Sequence, residues 1–417
     1  MHSQYYFFLS INSLLILIIS STAQAKGTLH LQYDKLYPLY AQACALTKMT
    51  PSGTIFGHAV LYLKGMCRDE TADSPRVKIC DSEIDLKDPN SGTMITNLRK
   101  IKNAAWVAVQ GADFAFDGGI DSQTPLTPVV YEDTIQKAIV QNIFKGVRLR
   151  ARWERERQSK GLSQDRYLAE SSLGTDFAIS FARHSYCTYI PITQLQLLDM
   201  IQYLNRVNES FLYPSQKYHW NPVSNNCTHL VKNVLAAGGI TSFIRTSRPF
   251  PISLNYAEFP SNLFLEMAEK GHPKDDFNIV EMFQNEATKN TLLRHGHPPF
   301  SHGTVAGILN ANEIENQYFQ PNYNLFVLDF SLNRKQEKTF YEMTKKDDFT
   351  SLVLNLNNSK KILTTSLSKL NSYSEIVEKN YKLNRSEFLE FYNKYQFWIN
   401  AAILEVENNL QILERRD

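Results

Sequence analysis

Apolar positions fall along this chain in short runs of differing period, and the period predicts the elements. Leu36 to Met49 predicts a short helix stopped before Pro51-Ser52-Gly53. Thr54 to Leu63 (TIFGHAVLYL) predicts a strand ended by Gly65, and Val77 to Leu86 and Ala104 to Gln110 predict two more. From Val147 to Trp153 the alternation is strict. Val147, Leu149, Ala151 and Trp153 share one side, and Arg148, Arg150 and Arg152 the other. That pattern predicts a strand with a cationic side, either an anion site or a solvated sheet face.

Phe177 to Ile190 predicts another strand or strand pair. The period then lengthens: Leu195, Leu198, Ile201 and Leu204 predict an amphipathic helix over Ile192 to Val207. A turn at Tyr218-His219-Trp220-Asn221-Pro222 leads into a second short helix, Thr228 to Ala237, stopped by Gly238-Gly239. Residues 246–330 are rich in Pro, Asn and Gly, with scattered short strands such as Leu325 to Phe330, and read as an irregular extension. From Ser331 to Asp417 there is no Gly and no Pro. Leu363, Leu367, Leu370, Tyr373 and Val377 form one apolar stripe. Phe388, Tyr392, Tyr395, Ile399, Ala402, Val406, Leu410 and Leu413 form another, so residues 331–417 predict a C-terminal helical hairpin with an internal core. A partner helix or a membrane surface is the alternative cover for these stripes. There is no internal repeat.

The N-terminus changes the picture. Apolar residues Tyr5 to Leu9 and Leu14 to Ile19 end at Ala23-Gln24-Ala25, the small-x-small pattern that signal peptidases cut. Residues 1–25 therefore read as a signal peptide, although its first residues carry only His2 and the amine as cations. The unbroken apolar core is short for a membrane span. Export implies a periplasmic or secreted protein with possible peripheral membrane contact. A hydrophobic content of 43% and a charged content of 21% describe a globular chain, and a net charge of +2 calls for no nucleic acid.

Export also gives the five cysteines a meaning, since disulfides persist outside the cytoplasm. An odd count leaves one thiol over. If that thiol is Cys227, then Cys67 and Cys80, which flank a turn-like stretch, form the easy local pair. Cys44 and Cys187 are then left as a long-range bridge.

Two segments carry chemistry. In YHWNPVSNNCTHLVKNVLAAGG, Cys227 sits at the start of a helix whose buried face is Leu230, Val231, Val234 and Leu235. Unpaired backbone N–H groups there favour thiolate over thiol and can hold the oxyanion of an acyl-transfer intermediate. Asn225 and Asn226 suit a tight turn that exposes the thiol. The plain alternative is a small apolar residue at a helix start. The second piece is His58, on a strand face with Phe56, Val60 and Tyr62 and between the small neighbours Gly57 and Ala59. A histidine so placed can act as general base toward a thiol, or serve only as a structural strand residue. His229, two residues along the helix, points away from Cys227. His219, before the turn, competes for the same role.

Taken together, FGHAVLYL and the downstream YIPIT…NNCTHLVKNVL resemble the Lnb N-terminal periplasmic domain family. The matching segments are Phe56-Gly57-His58, Tyr189-Ile190-Pro191-Ile192-Thr193 and Asn226-Cys227, and the likeness covers roughly residues 40–245. That family is similar to a circularly permuted branch of the papain-like cysteine hydrolases, near the NlpC-type peptidases and the lecithin:retinol acyltransferase-like enzymes. The resemblance implies an α+β fold for residues 26–245: a permuted papain-like domain with an antiparallel sheet and packed helices, followed by the helical hairpin. It implies a Cys227 nucleophile and a His58 base, and no cofactor. Thr228-His229 departs from the small polar pair that usually follows the cysteine. The histidine-orienting residue is open among Asp81, Ser82 and Asp176. The implied function is a cysteine hydrolase or acyltransferase acting on an amide or ester, with a cell-wall peptide, a lipoprotein or a lipid as substrate. The alternative is an inactive binding or scaffold protein on the same fold.

A last cluster, His295-Gly296-His297-Pro298-Pro299-Phe300-Ser301-His302, has enough imidazoles for a zinc ion, but no nearby Cys and two prolines that favour a turn. Of all these readings, export has the most direct check. Mature protein from the cell envelope should begin at Lys26 on N-terminal sequencing, and recovery of Met1 from a membrane pellet would overturn cleavage.

Overall fold

The computed structural model describes residues 32–46, 57–81, 88, 90–212, 216–246, 258–273, 277–299, 302–319, 339–340, 342–343, 345–380 and 384–415. The signal segment with Lys26, as well as Phe56, Ser82 and the strand expected over Leu325 to Phe330, lie outside them.

The core is an antiparallel sheet of six strands. In chain order these are β1 (Tyr40–Leu46), β2 (His58–Lys64), β5 (Gly92–Thr96), β6 (Val107–Gln110), β7 (Ser185–Pro191) and β8 (Val305–Leu309), ranked in space β6-β5-β2-β1-β7-β8. Two short strands, β3 (Met66–Arg68) and β4 (Val77–Ile79), pair with each other beside it. Thirteen helices with described bounds surround the sheets, besides short helical stretches at residues 32–36, 339–340 and 342–343, making an α+β fold. They are α1 (Ala112–Asp117), α2 (Pro128–Val140), α3 (Ala151–Ser159), α4 (Gln164–Ser172), α5 (Gln194–Glu209), α6 (Cys227–Ala237), α7 (Pro260–Lys270), α8 (Ile279–Gln284), α9 (Glu286–His295), α10 (Asp347–Thr350), α11 (Leu352–Ser368), α12 (Tyr373–Lys379) and α13 (Arg385–Glu414). None of the described helices is long and apolar enough to cross a membrane.

Strand alternation divides the core into two layers. Tyr40, Cys44, Val60, Tyr62, Met94 and Tyr189 point to one side, into a cluster with Phe114, Phe177 and Phe181 that runs on into α13. Ala41, Ala43, Leu61, Leu63, Ile95 and Ile190 point to the other side, against Leu197, Leu204, Leu230 and Val234 of α5 and α6. The sheet is thus covered on both faces, and β1 at its middle is buried at every residue.

That burial explains a correction. The described part of Leu36 to Met49, up to Leu46, does not form the expected helix; Tyr40–Leu46 is β1, and the helical turn beside it lies earlier, at residues 32–36. A strand buried on both faces shows no alternation, and YAQACAL is rich in helix-favouring residues, so period and propensity both pointed the wrong way. The alternating stretch Val147 to Trp153 is corrected as well. Leu149 makes one isolated bridge with Ile101, Arg150 caps α3, and Ala151–Ser159 is helix. Val147 and Leu149 are buried, but the alternation beyond them runs across a helix start.

Other expectations hold in position. The strand around His58 runs His58–Lys64, and α5 starts at a capping box in which Thr193 and Gln196 satisfy each other's backbone N–H groups. The first C-terminal stripe spans α11 and α12, because the helix ends at Lys369. The second lies on α13, whose Phe388, Tyr395, Ile399 and Val406 are buried.

The two disulfides are Cys67–Cys80 and Cys44–Cys187, and Cys227 is free. Cys44 and Cys187 face each other directly across β1 and β7. The bridge closes a sequence separation of 143 residues. Both disulfides fit an oxidising compartment. Replacing Cys44 and Cys187 together by alanine should destabilise the protein by roughly 2–5 kcal/mol, measured as a fall in Tm under non-reducing conditions. An unchanged Tm would show the bridge to be absent in solution.

Candidate active site

The site is built at one end of the sheet, where β2 begins and β5 stops. His58 is the first residue of β2 and follows Gly57, whose φ of 75° a residue with a Cβ adopts rarely. Thr96 is the last residue of β5. Asp176 comes from the loop after α4, where its backbone N–H donates to the Ser172 carbonyl at 2.7 Å.

These three side chains meet. The His58 Nε2 lies 2.9 Å from Thr96 Oγ1 and 3.2 Å from Asp176 Oδ1. The Thr96 hydroxyl donates to Asp176 Oδ1, so its oxygen is left to accept from the imidazole. The His58 ring and the Cys227 sulfur also interact, each favouring the charged form of the other. With Nε2 committed to Asp176 and Thr96, Nδ1 is the nitrogen left for the thiol. The side chains of His58 and Asp176 are 13% and 6% exposed, so the contacts are largely shielded from water.

Cys227 is positioned by the turn before it. Asn221 and Asn225 form a two-way backbone bridge at 3.0 and 3.1 Å, and the Asn225 side-chain amide donates to the His219 carbonyl. Asn226 caps α6: its side-chain oxygen accepts from the His229 backbone N–H, while its amide ties down the carbonyls of Pro222 and Glu258. The asparagines thus brace the turn, but they do not expose the thiol. Cys227 is 8% exposed, among Tyr218, Leu230 and Ala59.

The electrostatics of the pair are set by competition. Burial disfavours both charges, pulling the His58 imidazole down and pushing the Cys227 thiol up. The interaction with Cys227, together with the hydrogen bond to Asp176, outweighs this and holds His58 up at about 10. For Cys227 the His58 charge, its hydrogen bond and the Ala59 backbone N–H win over burial and lower the thiol pKa. Each charge thus favours the other, in the direction of a thiolate–imidazolium pair. Arg183 supports it from behind Asp176. This guanidinium is 3% exposed, donates to the Gly174 carbonyl and to Thr175, and feels the Asp176 charge.

The rival histidines are accounted for. His229 is buried with its Nδ1 on the Asn226 side-chain oxygen at 2.9 Å, and His219 is exposed. Of the candidate orienting groups, Asp176 reaches His58, whereas Asp81 pairs with Lys78 on the surface. Sequence reading missed Thr96 and Arg183, since neither belongs to a motif. The other imidazoles stay apart from this site: His302 pairs with Glu405 at 3.2 Å, and His295 lies 3.8 Å from Asp199. No group of three potential metal ligands occurs among the described residues. A cavity of about 810 Å³ beside Phe277, Lys369 and Lys379 likewise contains none of the site residues.

No family model, curated protein or solved structure matches the chain.

The two shifts have a stability consequence with opposite signs. The raised His58 stabilises the fold fully below about 6.5, and that contribution is lost as pH rises through about 10. The lowered Cys227 contributes above its unfolded value of about 8.5, and the contribution is lost as pH falls through the lowered one. The direct readout is alkylation. Iodoacetamide labelling of folded protein should titrate below about 8.5, and His58→Ala should move the midpoint upward. A wild-type midpoint at or above that of a free thiol would contradict the ion pair.

Proposed function

We propose that the protein is an exported cysteine hydrolase or acyltransferase that acts on an amide or ester through Cys227, His58 and Asp176. The observation that carries this reading is a single imidazole held 3.2 Å from a buried carboxylate and interacting with a free thiol at a helix N-terminus. This is the nucleophile, base and orienter arrangement of covalent catalysis. The two disulfides support an extracytoplasmic setting, and the order of the histidine strand before the cysteine helix supports a permuted papain-like domain of the Lnb N-terminal periplasmic type. The C-terminal helices, read as a hairpin, are an addition to that domain.

In the proposed reaction the Cys227 thiolate adds to the substrate carbonyl, forming a carbon–sulfur bond and a tetrahedral oxyanion. Unpaired backbone N–H groups at the start of α6 are available to that charge. His58 then gives its Nδ1 proton to the departing amine or alkoxide as the carbon–nitrogen or carbon–oxygen bond breaks. Water or an acceptor alcohol or amine loses a proton to His58 and attacks the thioester, which releases the acyl group and restores the thiolate. Asp176 and Thr96 hold the ring orientation and stabilise the imidazolium through the cycle. A cell-wall peptide, a lipoprotein or a lipid supplies a suitable acyl group in the envelope.

An inactive binding or scaffold role keeps one supporting observation, the low exposure of Cys227. Mutant kinetics separate the two. Cys227→Ala and His58→Ala should each abolish thioester formation with an activated acyl ester, read as a mass adduct. The double variant should be little worse than either single, because the residues act as a unit. Asp176→Asn should cost at least tenfold in rate while leaving the adduct detectable. Equal adduct on wild type and on Cys227→Ala would end the proposal.

A further inference from the structure

Three residues beyond Thr96, the chain leaves β5 and enters a ledge of cations laid on aromatic rings. The Arg99 guanidinium carbon is 5.3 Å from the centre of the Trp153 ring and 5.8 Å from that of Trp220. Lys100 Nζ is 5.4 Å from Trp153 and 4.8 Å from Tyr167, and the Arg152 guanidinium is 4.9 Å from Trp153. Three positive charges therefore crowd one indole.

The ledge adjoins the Cys227 site on two sides. Lys100 is close enough to Asp176 for the carboxylate to act on it, and Trp220 belongs to the braced turn that launches Cys227. Neighbouring cations have carboxylate partners: Arg157 pairs with Glu154, Lys160 with Glu156 and Arg166 with Glu132. Among the described residues, no carboxylate oxygen lies within 4.0 Å of Arg99, Lys100 or Arg152. Cations this close repel one another, and an indole face returns only about 0.5–2 kcal/mol to each. Asp176 and Glu156 offset part of this at Lys100 from beyond ion-pair distance, and a bound anion would relieve the rest.

We propose that Arg99, Lys100 and Arg152 form a subsite for a free carboxylate on a peptide substrate of the Cys227 site. The proposal rests on the hydrolase reading and extends it to a substrate class. Guanidinium forks match a planar carboxylate, and the two tryptophans offer flat apolar walls to the aliphatic chain beside it. A membrane surface fits less well. Polybasic lipid-binding segments use about four to eight cations, whereas here Lys160, over the same Tyr167 ring, is already paired with Glu156, and the remaining three stand beside Glu154 and Glu156, which an anionic lipid plane would meet as repulsion.

The test uses N-acetyl-alanyl-alanine and its C-terminal amide, with tryptophan fluorescence as the readout. The acid should shift the emission of wild-type protein in a saturable way, and the amide should not. Arg99→Gln with Lys100→Gln should raise the half-saturating concentration at least tenfold. Repeating the titration in Cys227→Ala separates the two ideas, since the subsite should survive there even if the thiol proves inert. Reactivity gives a second measure: the ratio of iodoacetate to iodoacetamide labelling rates at Cys227 should fall at least threefold in the double variant. Equal responses to acid and amide would overturn the subsite. So would a response to inorganic phosphate or to phosphatidylglycerol vesicles without one to the acid.

Discussion

The candidate site depends on one imidazole that must stay charged where water hardly reaches it. Burying an unpaired ion costs several kcal/mol even after relaxation, so a solitary His58 in that place would be neutral. The chain avoids the penalty by setting Nε2 against the Asp176–Thr96 pair and the ring's charge against Cys227. Each partner is in turn held by something rigid. Thr96 ends a strand, Asp176 is hydrogen-bonded to the end of α4, and Cys227 begins a capped helix. Removing any one leaves a buried charge without its complement, which is why these four residues are better regarded as one unit than as a list.

The sheet makes this arrangement possible by fixing β2 from both sides. β1 and β5 flank it, and β1 is itself tied to β7 by hydrogen bonds and by Cys44–Cys187. A one-residue slip of β2 would turn His58 to the opposite face and bring Ala59 into its place. The layered packing opposes such a slip, because Val60 and Tyr62 fill one core while Leu61 and Leu63 fill the other. The histidine thus inherits its placement from apolar neighbours that take no part in the chemistry.

This division explains what was legible in the sequence. Cys227 and His58 stood out because their surroundings are locally unusual: paired asparagines before a helix, and a histidine between glycine and alanine. The disulfide pairs followed from an odd count and one turn-like spacing. The capped helix after Thr193 was readable because a helix half-buried against the sheet keeps its period. By contrast β1 was read as helix, since full burial on two faces erases alternation. Arg148, Arg150 and Arg152 were read as one cationic face because the alternation in the sequence carries no mark of the helix start that splits them. Thr96 and Arg183 could not be found at all, since Thr96 meets Asp176 only through an 80-residue separation and the irregular loop that folds Arg183 back carries no periodic signal.

The burial of Cys227 looks at first like an argument against a nucleophile, and its direction has to be weighed. A thiol that merely fills a core lies among apolar groups, and its pKa rises. Here burial pushes the same way, yet the His58 charge and the Ala59 N–H reverse the sign. Packing alone gives no reason to place a charged ring beside the sulfur, to orient that ring with a carboxylate, and to back the carboxylate with a buried guanidinium. A leucine or valine in place of His58 would fill such a space at lower electrostatic cost. The cost is local, and so are its results: a stabilised thiolate and a proton held next to it. Those are the two requirements of acyl transfer at a carbonyl. Low exposure keeps out the bulk water that would weaken every interaction within the unit, and under the proposed acyl transfer it would admit only a narrow acyl group.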